Sequence, residues 1–130
     1  MSNSNKNANL KEKFKEALSS TVRVISDDFS VKKTPEENKS SKNINFFELD
    51  NLNSKNDFTK ARADADSSAL KKKFSDEKIF NKNLPKNSSC RSLYSIAEKI
   101  RYESLGGKML KGIKKNFENN YDKIIKLKRK

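Results

Sequence analysis

The sequence has no histidine and no tryptophan, a single cysteine (Cys90), three glycines and two prolines in 130 residues. Each scarcity removes a class of chemistry. With no histidine and one thiol, no structural zinc site can be assembled, and neither a Ser-His-Asp triad nor a Cys-His dyad can exist. One cysteine closes no internal disulfide, which fits a reducing compartment. Cys90 is expected to be a small packed residue. All three glycines fall between positions 106 and 112, and Gly107-Lys108 is followed by Met109 rather than Ser or Thr. No strand precedes them, so no phosphate-binding loop is present. No apolar run approaches the roughly 18 residues of a membrane span. The first 20 residues hold no apolar segment that could serve as a signal peptide. A soluble, cytoplasmic chain is expected. Apolar residues are 32% and charged residues 36%, against about 45–50% apolar (Gly included) in an ordinary globular chain. A large core around a deep substrate pocket is therefore not expected, and part of the chain should be disordered or order only against a partner.

What is abundant is lysine. The formal net charge is +13, from 30 basic and 17 acidic residues. Such a charge invites a nucleic-acid reading. Only five of the basic residues are arginines (Arg23, Arg62, Arg91, Arg101 and Arg129), and 25 lysines stand beside 16 asparagines. Lys, Asn, Ile and Phe share AT-rich codons, so genome composition can inflate the charge. The charge is also lopsided: residues 1–66 carry a net +1 and residues 67–130 a net +12.

Periodicity predicts an all-α fold of three to four helices, with a mobile linker and one short extended segment. Residues 1–8 are polar and should be disordered. Residues 9–26 form an amphipathic helix, with Leu10, Phe14, Leu18, Val22 and Ile25 on one stripe and Asn9 as N-cap. Residues 27–56 read as linker, with Phe29 and Val31 alternating as a short extended piece and an apolar island, INFFELD, at 44–50. Residues 57–126 form the folded core, and 127–130 a basic tail. The core stripes are Phe58, Ala61, Ala65 and Ala69, then Leu93, Ala97 and Ile100, then Met109, Ile113, Phe117 and Tyr121. Leu84-Pro85 should end local structure. Asn87, Ser88 or Ser89 can cap the next helix, and Gly106-Gly107 permits a bend or an αα-hairpin.

Polar positions give less. Asp64 and Asp66 lie two apart, so on a helix they point about 200° apart and cannot act as a carboxylate pair; solvation or capping is the default for both. Asp66-Ser67-Ser68-Ala69-Leu70 has Leu70 where an Asp-x-Ser-x-Ser metal-adhesion site has its second serine. Glu98, Arg101 and Glu103 are the most informative cluster. Glu98 and Arg101 lie at i, i+3, which gives either a solvated ion pair worth about 0.2–0.5 kcal/mol or a bidentate anchor to another element. In the second case Arg101 is partly buried and ties its helix to Glu98, Glu103 or Asp66.

Arg62-Ala-Asp-Ala-Asp-Ser-Ser-Ala-Leu70, then Leu84-Pro85, then Ala97-Glu-Lys-Ile-Arg-Tyr-Glu-Ser-Leu-Gly106, then Met109, Gly112, Asn116 and Tyr121, resemble the N-terminal region of the CobT subunit of aerobic cobaltochelatase. The Glu-x-x-Arg-x-Glu-x-x-Gly motif is complete, as Glu98, Arg101, Glu103 and Gly106. The resemblance covers residues 57–123 well and 10–31 weakly. It departs at Ala63, where the family has Gly, at the lysines of 71–73, and at Gly112, one position late. Histidines between the two main motifs are replaced by Phe74-Ser75-Asp76 and Ile79-Phe80, so no metal role carries over.

The resemblance implies a non-catalytic subunit of a ligase that inserts cobalt(II) into hydrogenobyrinic acid a,c-diamide in cobalamin biosynthesis. Its partners would be the AAA-class ATPase subunit CobS and the large corrin-binding subunit CobN, with self-association also open. No cofactor is expected in this chain; ATP, magnesium and cobalt(II) belong to the implied complex. Arg62, Asp66, Ser67, Glu98, Arg101, Glu103, Gly106, Met109 and Asn116 would be its structural or interface motif, with no catalytic or metal residue. The family continues into an acidic linker and a von Willebrand A-type domain, so a fragment, a truncated product or a split subunit is expected here. The alternative is a basic helical nucleic-acid-binding protein, supported by charge and opposed by the scarcity of Arg. A membrane-surface helix over 109–130 is better explained as core.

Overall fold

Five helices make up the described part of the chain, residues 2–28 and 54–129 of a computed structural model. They are α1 (Ser2–Ser26), α2 (Lys55–Phe74), α3 (Glu77–Lys82), α4 (Ser88–Met109) and α5 (Lys111–Lys128). The fold is all-α, with one helix more than the upper expectation because Ile79-Phe80 sits in a short helix of its own. The expected extended piece at Phe29 and Val31 and the apolar island at 44–50 lie outside the described residues.

Helix α2 is the hub, packing against α1, α4 and α5, while α1 packs only on α2. Its composition explains this. Ala63, Ala65, Asp66, Ser67, Ala69 and Leu70 are all buried. At 100° per residue they span an arc of about 200°, just over half the circumference, with small side chains that let three helices approach. Ser54 caps α2 in a reciprocal box: the Asp57 backbone N–H donates to Ser54 Oγ at 3.3 Å, and the Ser54 N–H donates to Asp57 Oδ2 at 2.8 Å. The helix therefore starts two residues before position 57, where the folded core was expected to begin.

α1 and α2 run parallel. Phe14 meets Phe58 edge-on, ring centroids 4.9 Å apart. At the other end Lys73 pairs with Asp27 and Lys72 with Asp28. Between them Leu18, Val22 and Ile25 are buried, each worth about 1.5–3 kcal/mol relative to exposure. Leu10, read as the first residue of this stripe, is exposed, because Phe14, one turn later, already meets the first turn of α2; α1 itself begins at Ser2 rather than at an Asn9 cap. Asp27 ends α1 with φ 55, a left-handed conformation that Asp tolerates better than most residues.

α4 begins at Asn87, whose side chain accepts from the Ser89 and Cys90 backbone N–H groups at 2.9 and 3.3 Å. It runs straight through Gly106-Gly107, and the break falls at Leu110. The expected glycine bend is absent because Gly106 serves a packing role instead. α5 then folds back, burying Ile113, Phe117 and Asn120.

The core differs from the expected stripes in α4. Leu93, Ala97 and Ile100 are exposed, as is Cys90. Tyr102, Glu103 and Gly106 face inward instead. Met109 and Tyr121 are also partly solvent-facing, at 44% and 40% exposure. Among the described residues, no helix is long and apolar enough to cross a membrane.

Candidate functional site

Glu103 sits where α2, α4 and α5 meet, only 8% exposed. A buried carboxylate needs partners on both oxygens, and this one has them. Ser67 of α2 donates to Oε1 at 2.7 Å, and Tyr121 of α5 donates to Oε2 at 2.6 Å. Lys99 lies 3.8 Å from Oε1. One side chain of α4 thus joins all three helices. Burial, followed by donation to Glu103, pushes the Tyr121 hydroxyl well above its ordinary value. Burial likewise raises Tyr102, against a hydrogen bond with Ser67.

Asp66 is buried, and neither solvated nor capping as expected. Its Oδ2 accepts from Asn116 Nδ2 of α5 at 2.8 Å. Desolvation raises its pKa, opposed by the Asn116 hydrogen bond and the charge of Arg62. Arg62 itself is exposed. Further along the same pair of helices, Lys123 Nζ donates to Thr59 Oγ1 at 2.8 Å.

Arg101 is not the partly buried anchor expected of it: it pairs with an acid of its own helix and reaches α2 only through a backbone carbonyl. It is 47% exposed at the side chain, so it is not a buried anchor. Its Nε and Nη2 donate to Glu98 Oε2 and Oε1 at 2.8 and 2.7 Å. Nη2 also donates to the Phe74 carbonyl at 2.6 Å, and Ser75 Oγ donates to Glu98 Oε1 at 2.7 Å. The acid is Glu98 on the same helix, and the link to α2 goes through its last carbonyl and Ser75. The guanidinium fork leads the causes that hold Glu98 at about 2, below its ordinary 4.5, and the pair raises Arg101 in turn.

Gly106 completes the set by its lack of a side chain. A Cβ there would lie 2.3 Å from Leu70 Cδ1 and 2.9 Å from Leu70 Cγ. Of the nine motif residues, Asp66, Ser67, Glu98, Arg101, Glu103, Gly106 and Asn116 thus join α2 to α4 or α5. Arg62 and Met109 remain at the surface. Sequence reading missed Ser75, Tyr102 and the polar role of Tyr121. Tyr121 stood on the α5 stripe, which pointed to packing, and in the family resemblance, which gave it no role.

Chemically, the arrangement spends its polar atoms on one another. A shallow opening near it, about 570 Å³, is lined by Lys73, Phe74, Ser75, Asp76, Glu77 and Lys78. Among the described residues, no group of three His, Cys, Asp or Glu side chains could hold a metal ion. Fold and site together define a small all-α domain whose polar core ties its own helices. The family model of cobalamin biosynthesis protein CobT matches residues 8–129, and the chain belongs to that family. Membership supports involvement in cobalamin biosynthesis. Comparison with curated proteins and with solved structures returns no match.

Proposed function

We propose that this chain is a non-catalytic subunit domain of the aerobic cobaltochelatase, which inserts cobalt(II) into hydrogenobyrinic acid a,c-diamide at the cost of ATP. The observation that carries the reading is the family match over residues 8–129. The tie network supports a docking role rather than a catalytic one. Carboxylates of the kind that could act on a substrate are engaged with Ser67, Tyr121, Asn116, Ser75 and Arg101. In this reading CobS supplies ATP hydrolysis, CobN holds the corrin ring, and the chain links or positions them. The substrate metal is handled by the complex.

The test is reconstitution. Purified chain alone should hydrolyse no ATP above a blank. Added to CobS and CobN with ATP, magnesium, cobalt(II) and the corrin, it should change the rate of cobalt insertion. ATP turnover by the chain alone, abolished by substitutions within it, would contradict the reading.

A second reading, a basic nucleic-acid-binding helical protein, is favoured by one observation: exposed lysines at 111, 114, 115, 126 and 128 of α5. A purely electrostatic complex of that kind should weaken steeply as salt rises toward about 150 mM.

A further inference from the structure

α4 and α5 are joined through a single residue. Leu110 is extended, with φ −136 and ψ 117, and helix resumes at Lys111. Helix connections in bundles ordinarily run about 2–8 residues. Leucine is a poor N-cap, and among the described residues no side chain caps α5. The backbone N–H groups of Ile113 and Lys114 share the Leu110 carbonyl, at 3.1 and 3.3 Å. In a continuous helix the N–H groups of 111, 112 and 113 would take the carbonyls of 107, 108 and 109. The dihedrals of one residue thus separate this hairpin from a straight helix over 88–128, which would regain about three backbone bonds.

The buried faces keep one phase across the break. Glu103 and Gly106 of α4 are buried, as are Ile113, Phe117 and Asn120 of α5. With Leu110 between them, the spacings run 3, 4, 3, 4 and 3, the repeat of a single helical seam. A hairpin requires each arm to face inward and sets no common phase between the arms; a continuous helix with one seam does. Leu110, at the middle of the repeat, is 45% exposed in the hairpin.

The place that α5 occupies can be filled from another chain. Asn116 donates to Asp66 of α2, Lys123 to Thr59 of α2, and Tyr121 to Glu103 of α4. Each of these bonds spans the break, and none needs α5 to come from the same copy. The two arms run antiparallel: Gly107 lies against Lys114 near the break, and Glu103 meets Tyr121 farther from it. Two straightened helices crossing at Leu110 about a twofold axis reproduce that pairing, each α5 running back along the other copy's α4.

We propose that this chain pairs with a second copy of itself by exchanging α5. Leu110 turns helical, α4 and α5 become one helix, and each α5 takes the same place on the other copy's α2 and α4. Leu110 then meets its counterpart at the axis and completes the seam. The inference does not depend on the cobaltochelatase reading.

Exposed lysines at 108, 111, 114 and 115 surround the break and would approach their counterparts near the axis, which repels. Exchange therefore calls for concentrated protein and for salt of about 1 M, where the Debye length is about 3 Å. The full chain is refolded at millimolar concentration in that salt and its mass read by sedimentation equilibrium. A dimer is expected. Lys111→Pro separates the two forms, because proline suits the first position of α5 after an extended residue and breaks a continuous helix. It should weaken dimerisation at least about 100-fold, with the thermal midpoint of the dilute monomer no lower. Lys111→Ala, which removes the same charge, should not weaken it.

The exchange itself is read as a distance within one chain. Cys90 and Leu127 are both exposed, so Leu127→Cys gives a second labelling position. A trace of doubly spin-labelled chain is refolded with an excess of Cys90→Ser. The labels lie under about 30 Å apart in the hairpin and about 55 Å apart along a straight helix. The long distance should appear in the dimer and the short one in the monomer. A chain that stays monomeric, a dimer that keeps the short distance, or a Lys111→Pro dimer as tight as that of the unsubstituted chain would each overturn the proposal.

Discussion

Leu70 of α2 fills the space that a side chain at Gly106 of α4 would require, with Cδ1 only 2.3 Å from where a Cβ would stand. Leu70 is fully buried, so it has no open direction in which to swing. The glycine that ends the Glu-x-x-Arg-x-Glu-x-x-Gly motif is thus a contact between helices rather than a turn. Its neighbours in the motif act at the same seam, Glu103 through Ser67 and Arg101 through the Phe74 carbonyl.

Gly106→Ala is expected to lower stability by about 1–2 kcal/mol, as overpacking of about 1–3 kcal/mol outweighs the helical gain of about 0.5–1. Gly112→Ala should do the opposite. A Cβ there meets nothing within 4 Å, so the propensity gain stands alone. Thermal midpoints of the two variants, measured side by side, should move in opposite directions. A shared direction would show that the Leu70 contact does not limit position 106.

The two carboxylates with shifted pKa values predict opposite pH dependence. Glu98 is held at about 2, below 4.5, chiefly by Arg101. A lowered carboxylate adds stability that is present above its unfolded value and lost as pH falls through the folded one, here between about pH 4.5 and 2. Asp66 is raised above 3.8 by burial. Its contribution is present below that value and lost as pH rises through the raised one. The midpoint difference between Glu98→Gln and wild type should therefore grow more negative from pH 2 to 7. For Asp66→Asn, which keeps an acceptor for Asn116, it should grow more positive. Parallel trends would contradict the assignments.

Ser19 is fully buried on α1, and its hydroxyl has no hydrogen-bond partner among the described residues. An unsatisfied buried hydroxyl costs about 1–3 kcal/mol, and Ala is the better helix former. Ser19→Ala should raise stability by about 1 kcal/mol in denaturant unfolding. A loss of that size would reveal a partner for Ser19 that the geometry lacks.

These contacts show how far the sequence could be read. Leu18, Val22 and Ile25 were legible because α1 has one partner and one buried face. The alanines at 65 and 69 were legible for the same reason on one side of α2. α4 defeated the pattern because its periodicity is real and points outward. Hydropathy registers Leu93, Ala97 and Ile100, and cannot register that Glu103 is buried with both oxygens satisfied. The motif resemblance found residues 98, 101, 103 and 106, which tie α4 to α2 and which periodicity missed. Gly106-Gly107 suggested a turn, and only the Leu70 contact shows otherwise. The actual break, at Leu110, has no Pro or Gly at that residue and no side-chain cap to signal it.

Sedimentation velocity of the full chain mixed with CobS and ATP at about 150 mM salt, with a duplex DNA control, tests the central claim most directly. The account predicts that the chain moves with CobS and not with DNA, a salt-weakened electrostatic complex being lost under these conditions. Sedimentation with DNA, and alone in the presence of CobS, would contradict it.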